Sequence, residues 1–553
     1  MHLRAASIAL VVGSLTAVSS AHPQTAAPPN LSGRTGRPEI VALFNDWRKF
    51  EQPRRNNGVP DYSVAAMERQ YRGLAAYRRR LAAIDTTGWP IHDQVDYQIV
   101  RAEMNGLDFN HRVLRPWARN PAFYVSFYPS RSDQPAREGT VNAAAIELWK
   151  YHFPLTPDSE ADLVARLRVI PPLLDAARTN LTGNGRDLWT YGTMSIRQQT
   201  AELAALAARA APVNPALAAA AADARTASER FSRWLDHTAP SRTGPSGIGI
   251  ANYDWYLRNV QLVPYTWAEE RLLMQRELDR ARSSLQMEED RNRDLPPLRR
   301  VQTADAYRAR FDSAVTEYVA FIRDRRIMTA RDYMDPALRA RRGRFVEPAK
   351  PLEFFDEVDH RDPIVMLTHD YHWIDLARME HEPNADETRR GPLLYNIFVT
   401  RTEGYATAME EMMMREGFLD RHRRSSELIY VLVAERAARA LGDLHLQSNE
   451  FTMEQAKRFA SAETPRGWLR LDAATVGGEQ HLYLQQPAYG TSYIIGKIQF
   501  DKLVSERAAQ LGDTYSTERL MDEFNAAGLI PMSLIRWELT GNADEIQAMS
   551  RTR

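Results

Sequence analysis

From Glu39 onward, apolar residues recur every three or four positions, the period of an α-helix buried along one side. Ile40, Leu43, Phe44 and Trp47 form one such stripe, and Met67, Tyr71, Leu74 and Tyr77 another. Pro90 interrupts the pattern, which resumes over 93–107. A further stripe of Leu163, Leu167, Ile170, Leu173 and Leu174 follows Thr156-Pro157-Asp158, where Thr156 or Asp158 is placed to cap a helix start. The stretch 201–225 is so rich in alanine that helix is its only comfortable state, with Pro212 and Pro215 dividing it into two antiparallel pieces. Residues 266–287 and 304–327 read as long, charged helices. Strict alternation is scarce, and 343–354 is the best place for a short strand or hairpin. The predicted fold is mostly α with little β: one large helical body over 39–545, in one or two lobes.

Composition narrows the function classes. The chain has 553 residues, 44% of them hydrophobic and 26% charged, enough to bury a sizeable core. Its 71 basic and 71 acidic residues cancel, so no overall field favours nucleic acid or an anionic membrane surface. There is no cysteine, which excludes disulfides, thiolate zinc sites and cysteine nucleophiles. Residues 1–21 have the layout of a secretory signal peptide. A basic start at Arg4 is followed by the apolar run around Ile8-Ala9-Leu10-Val11-Val12 and a small-residue exit at Ala21. Residues 22–38, rich in Pro, Gly, Thr and Ser, read as a disordered lead-in. The expected location is therefore periplasmic or secreted, with no later span able to cross a membrane.

The densest chemistry lies at Leu367-Thr368-His369-Asp370-Tyr371-His372-Trp373-Ile374-Asp375. On a continuous helix, His369 and His372 would share one face, with Asp375 a turn further on. Simpler roles stand beside metal binding: His372 packing beside Trp373, and Asp370 pairing with a nearby arginine. Met409, Met412, Met413 and Met414 read as core packing, and Arg439 with Asp443 as a helical ion pair. Gly247-Ile248-Gly249 lacks the strand and lysine of a phosphate loop, and no Gly-x-Ser-x-Gly supports a serine hydrolase.

Four segments together carry a resemblance. They are the His369 cluster, Glu403-Gly404-Tyr405-Ala406, the helix containing Arg439 and Asp443, and Pro487 through Tyr493 to Gly496. Stretches around Arg166-Leu167, Ile170-Pro171 and Asn180-Leu181-Thr182, and Gly249 with Tyr253, add to it. Over roughly 40–542 the chain resembles a bacterial family of helical, zinc-metallopeptidase-like proteins of unknown function, with a fold related to angiotensin-converting enzyme and the oligopeptidases. That family carries His-Glu-x-x-Pro-Gly-His, Glu-Gly-Trp-Ala, Arg…Asp and Pro-Gly-Gln-x-x-x-Tyr-x-x-Gly segments. Here the first motif departs: Asp370 stands for its glutamate, Trp373-Ile374 for its Pro-Gly, and Asp375 for its second histidine. A later histidine appears as Gln447.

The resemblance implies a helical body around a central cleft. It implies a divalent metal, zinc foremost, held by His369 and Glu403, with His372 or Asp375 completing the shell. Asp370 would be the base, Tyr493 the oxyanion donor, and Trp373, Tyr405, Tyr489 and Arg439 the substrate wall. Exchange of a histidine for a carboxylate would move the site toward harder metals. The expected function is a metal-dependent hydrolase of peptide-like amide bonds. The alternatives are a lyase or non-peptide hydrolase acting on a small aromatic substrate, and a helical binding protein without catalysis.

Overall fold

The computed structural model describes residues 36–551, so the signal-peptide layout and most of the lead-in lie outside the described residues. Helix accounts for about 69% and strand for about 2%. The mostly α expectation holds. Helices run from Arg37–Glu51 at one end to Asp544–Arg551 at the other. The only strands among the described residues are two pairs, Arg55–Asn56 with Val59–Pro60 (antiparallel) and Phe127–Tyr128 with Ile146–Glu147 (parallel).

Local expectations are met where side chains dictate them. Thr156 caps the Pro157–Leu167 helix by accepting a hydrogen bond from the Ser159 amide. The alanine-rich stretch divides at Pro212 and Pro215 into helices Arg186–Ala210 and Pro215–Thr238, which pack side by side. The expected strand at 343–354 does not form. Its carbonyls are taken instead by the Arg300 guanidinium, which donates to Val346, Glu347, Pro348 and Lys350, and a helix starts at Phe354. A segment whose acceptors are occupied by a side chain has fewer left for a neighbouring strand. No described helix is long and apolar enough to cross a membrane.

Two main apolar cores are present. The smaller runs from Tyr62 to Leu235 and is built around the alanine-rich helix pair. The larger gathers residues from Val95 to Met549, most of them beyond Ile248. At its centre are the helices Val399–Arg415, Ser425–Gln447 and Tyr489–Leu511, called below the Glu403, Arg436 and Tyr493 helices. The Glu403 and Tyr493 helices cross at two glycines. A β-carbon on Gly404 would lie 2.3 Å from the Gly496 α-carbon, and one on Gly496 would lie 2.1 Å from the Thr400 carbonyl oxygen. Only hydrogen fits, and that close crossing brings Glu403 beside Tyr489 and Tyr493.

Candidate metal centre

The stretch expected to be one continuous helix is two. Pro363–His369 ends at Asp370 (φ −64°, ψ 12°), and Tyr371–His381 begins immediately after it. Asp370 makes the corner, its carboxylate 2.5 Å from Arg341 Nε. His369 and His372 therefore flank a bend, with ring centroids 5.0 Å apart and planes at 82°. The Glu403 helix faces them.

One ligand atom from each of His369, His372 and Glu403 lies within 4.8 Å of the others. Glu403 Oε2 is 3.2 Å from His372 Nε2 and 3.7 Å from His369 Nε2. These separations approach the roughly 3.3 Å edge of a tetrahedral zinc shell with bonds near 2.0–2.2 Å. His372 is 3% exposed, and its Nε2 faces Glu403 Oε2 without a well-directed hydrogen bond to it. A buried nitrogen left in that state is costly without a further partner. Two imidazoles and one carboxylate, with an open side toward a cavity, fit a divalent metal.

Supporting residues fix these three. Glu410, seven positions after Glu403 and fully buried, sets Oε1 3.0 Å from His369 Nδ1, while Arg436 balances its charge at 2.7 Å. Arg436 Nη2 also lies 3.1 Å from the same Nδ1, so carboxylate and guanidinium together hold the ring's orientation. Burial and Arg436 keep the His369 pKa well below 6.5. Burial also lowers His372, but Glu403 outweighs it and raises His372 to about 9. Burial opposes ionisation of Glu403, yet His372 and the Tyr489 hydroxyl hold its pKa below 4.5. Tyr489 and the Gln134 amide, the latter at 3.0 Å, donate to Glu403 Oε1 and leave Oε2 for the histidines.

A cavity of about 370 Å³ opens beside the three residues. Trp373, Tyr489, Tyr493, Arg436 and Arg439 line it, together with Asp370. Burial raises the pKa of the Tyr493 hydroxyl well above 10, so it stays a proton donor. Burial lifts Asp370 to about 6 despite Arg341. The loop between the two parallel strands presents Asp133 and Glu138 to this cavity. Its Arg131, Gln134 and Arg137 line a second cavity of about 510 Å³. Burial, followed by Glu403 and Glu479, holds Asp133 above the usual carboxylate range despite His372. Burial and Asp133 push Glu138 up to about 7.

Several expected residues are placed elsewhere. Asp375 is held by Arg401 at 2.9 Å and Arg378 at 2.6 Å, and His372 rather than Asp375 joins the cluster. Tyr405 is fully buried against Tyr371, Phe500 and Phe524 and does not line the cavity. Arg439 pairs with Glu435 and Glu479 rather than with Asp443, which accepts from the Gly490 amide. Gln447 is structural: its side chain donates to the Tyr483 carbonyl and accepts from the Ile248 amide. The Gly247 and Gly249 amides are likewise spent on Asn449 and the Gln447 carbonyl, leaving no phosphate cradle. Met409 and Met413 are core residues.

Sequence reasoning passed over Glu410, Arg436 and the loop residues Asp133, Gln134 and Glu138. For Glu410 a signal existed, since a residue seven positions from Glu403 shares its helical face. The loop offered none, because nothing local in 133–138 says which helices it will cover.

Comparison with known proteins gives the following relations. No curated protein matches. A solved structure from Shewanella oneidensis, provisionally described as a lipoprotein of unknown function, superposes with TM-score 0.67 at 14% identity. The alignment covers 91% of this chain and 99% of that one. A structure from Colwellia psychrerythraea, also provisionally described as a lipoprotein, gives TM-score 0.62 at 14% identity over 92% and 99% of the two chains. At that identity the likeness is one of fold. The sequence pattern of the family described as "Bacterial protein of unknown function (DUF885)" matches residues 50–335 and 372–539, leaving out the segment that contains His369 and Asp370. The chain therefore belongs to the DUF885 family of bacterial proteins of unknown function.

Proposed function

We propose that this chain is a metal-dependent hydrolase of small peptide-like amides, in keeping with the metallopeptidase resemblance of its motifs. The observation that carries this reading is the convergence of His369, His372 and Glu403 beside a cavity of about 370 Å³. These three residues would hold the ion, and their imidazole and carboxylate donors suit zinc. When bound, such an ion polarises an amide carbonyl and lowers the pKa of water.

The chain's own residues supply the rest. Glu410 and Arg436 flank His369 Nδ1 and so turn its Nε2 toward the cluster. Tyr489 and Gln134 fix the rotation of Glu403. Tyr493, kept protonated by burial and lining the cavity, donates a hydrogen bond to the oxyanion that develops when the amide carbonyl is attacked. Asp370, anchored by Arg341 and lining the same space, is assigned the acceptance of the water proton. An exported location accompanies this reading. The amino-terminal layout is that of a secretory leader, and two proteins of the same fold are described as lipoproteins.

The test is the metal content of the purified protein, followed by hydrolysis of a dipeptide and amino-acid amide panel with and without a chelator. Near-stoichiometric metal and chelator-sensitive cleavage are expected. A protein without metal that cleaves none of the panel would overturn the proposal.

A further inference from the structure

When the ion pairs lining the cavity are matched, two carboxylates are left over. Arg341 is engaged by Asp359 and Asp370, Arg436 by Glu410, and Arg439 by Glu435 and Glu479. Asp133 and Glu138 line the same cavity, and among the described residues neither has a lysine or arginine partner. Glu138 accepts from the Ser132 hydroxyl, at 2.8 Å. Tyr493 lines the same cavity at 7% exposure, and its hydroxyl has no hydrogen-bond partner among the described residues. The cavity thus combines two carboxylates that no lysine or arginine engages with a hydroxyl that meets no protein group.

We infer that Asp133 and Glu138 receive the free amino end of the substrate, so that the cavity selects short peptides with an unblocked amino terminus. The kind of substrate rests on the amide-hydrolase reading, whereas capture of a primary amine by the two carboxylates does not.

Position and size support the assignment. Asp133 directly precedes Gln134, whose amide touches Glu403, so a cation held there sits beside the His369–His372–Glu403 cluster. In a peptide, the α-nitrogen and the first carbonyl carbon are separated by a single α-carbon. Anchoring the ammonium at the loop therefore presents the first amide bond to the cluster. A volume of about 370 Å³ is at the small end for ligand sites and suits a dipeptide better than a long chain. Trp373 and Tyr489 offer apolar wall for the first side chain. An ammonium has three donors and no acceptor, which matches two carboxylates that no lysine or arginine engages. The loop itself is tied down: the Gly139 amide donates to Gln486 at 2.9 Å, and Asn396 donates to the Arg137 carbonyl at 3.2 Å.

The test is calorimetric binding of leucylglycine, its N-acetyl derivative and putrescine to the full chain, and to the D133N and E138Q variants. Leucylglycine should bind at least about tenfold more tightly than the acetylated form, as expected when a hydrogen bond to a charged group is lost. Each substitution should narrow that gap while leaving melting temperature and metal content unchanged. Equal or tighter binding of the acetylated dipeptide, no binding of either dipeptide, or an unchanged gap in folded variants would overturn the inference. Putrescine binding as tightly as the dipeptide would overturn the peptide assignment. The measurement on the unaltered protein decides the matter even where a variant does not fold. A protein that is metal-free and inactive yet keeps the amine preference sinks the hydrolase reading alone. Chelator-sensitive cleavage with no amine preference sinks this inference alone.

Discussion

Glu403 and Asp375 are equally buried, at 3% exposure each, and both face side chains of a neighbouring helix, yet their circumstances are opposite. Glu403 meets two imidazoles, a phenol and an amide. Asp375 meets the guanidinium groups of Arg401 and Arg378. Fixed positive charge already answers Asp375, so it has no oxygen to spare for an ion. Glu403 is oriented by neutral donors on one oxygen and keeps the other available. A buried carboxylate becomes a ligand or a strut according to which partner arrives from distant chain, and its own helical spacing does not decide between them.

The largest effect expected is on the ligand side of this comparison. E403A should reduce metal content to background by elemental analysis, whereas D375A should leave it at the unaltered level in whatever fraction folds. Metal loss in D375A with retention in E403A would reverse the two roles. Next comes stability on the strut side. D375A strands the fully buried Arg401 and should cost about 3–5 kcal/mol in denaturant unfolding. A loss under about 1 kcal/mol would show that Arg401 finds another partner.

Acid sensitivity sharpens the same contrast at a second strut. Burial alone would raise Glu277, but Arg280 and Lys497 pull it down to about 2. The folded pKa is depressed, so the charged form's contribution, of order 3 kcal/mol, is present above pH 4.5 and lost as pH falls toward 2. E277Q should flatten the stability profile in that window; a profile as steep as the unaltered one would exclude Glu277 as its source. The smallest effect is expected behind the ligands. E410Q should weaken metal binding by about 10–100-fold in chelator competition while leaving stoichiometry intact. Unchanged affinity would mean that Arg436 alone suffices to orient His369.

The helical fold was legible because it rests on local period, alanine content and prolines, each acting within a few residues. His369, Glu403 and Tyr493 were legible as motif positions. One continuous helix would put His372 on the face of His369, whereas it reaches the cluster through the bend at Asp370. Asp375 has the same helical spacing and lies elsewhere, because Arg401 sits just two residues before Glu403 and claims it. Tyr405 shares a motif with Glu403, but the next residues along a helix point to other faces, and it faces the core. The loop carboxylates were invisible for a different reason: they are brought to the site by a chain separation of more than 200 positions, which no local pattern encodes.

The glycine crossing of the Glu403 and Tyr493 helices has a consequence for how this site can be lost. A single methyl group at Gly404 or Gly496 would act as a wedge, forcing the two helices apart. Because Glu403 rides on one helix and Tyr489 and Tyr493 on the other, the wedge would pull donor from acceptor without altering any of them. Silencing therefore needs no change in the visible chemical groups, and a relative with every one of them intact can still be inert if that seam is filled.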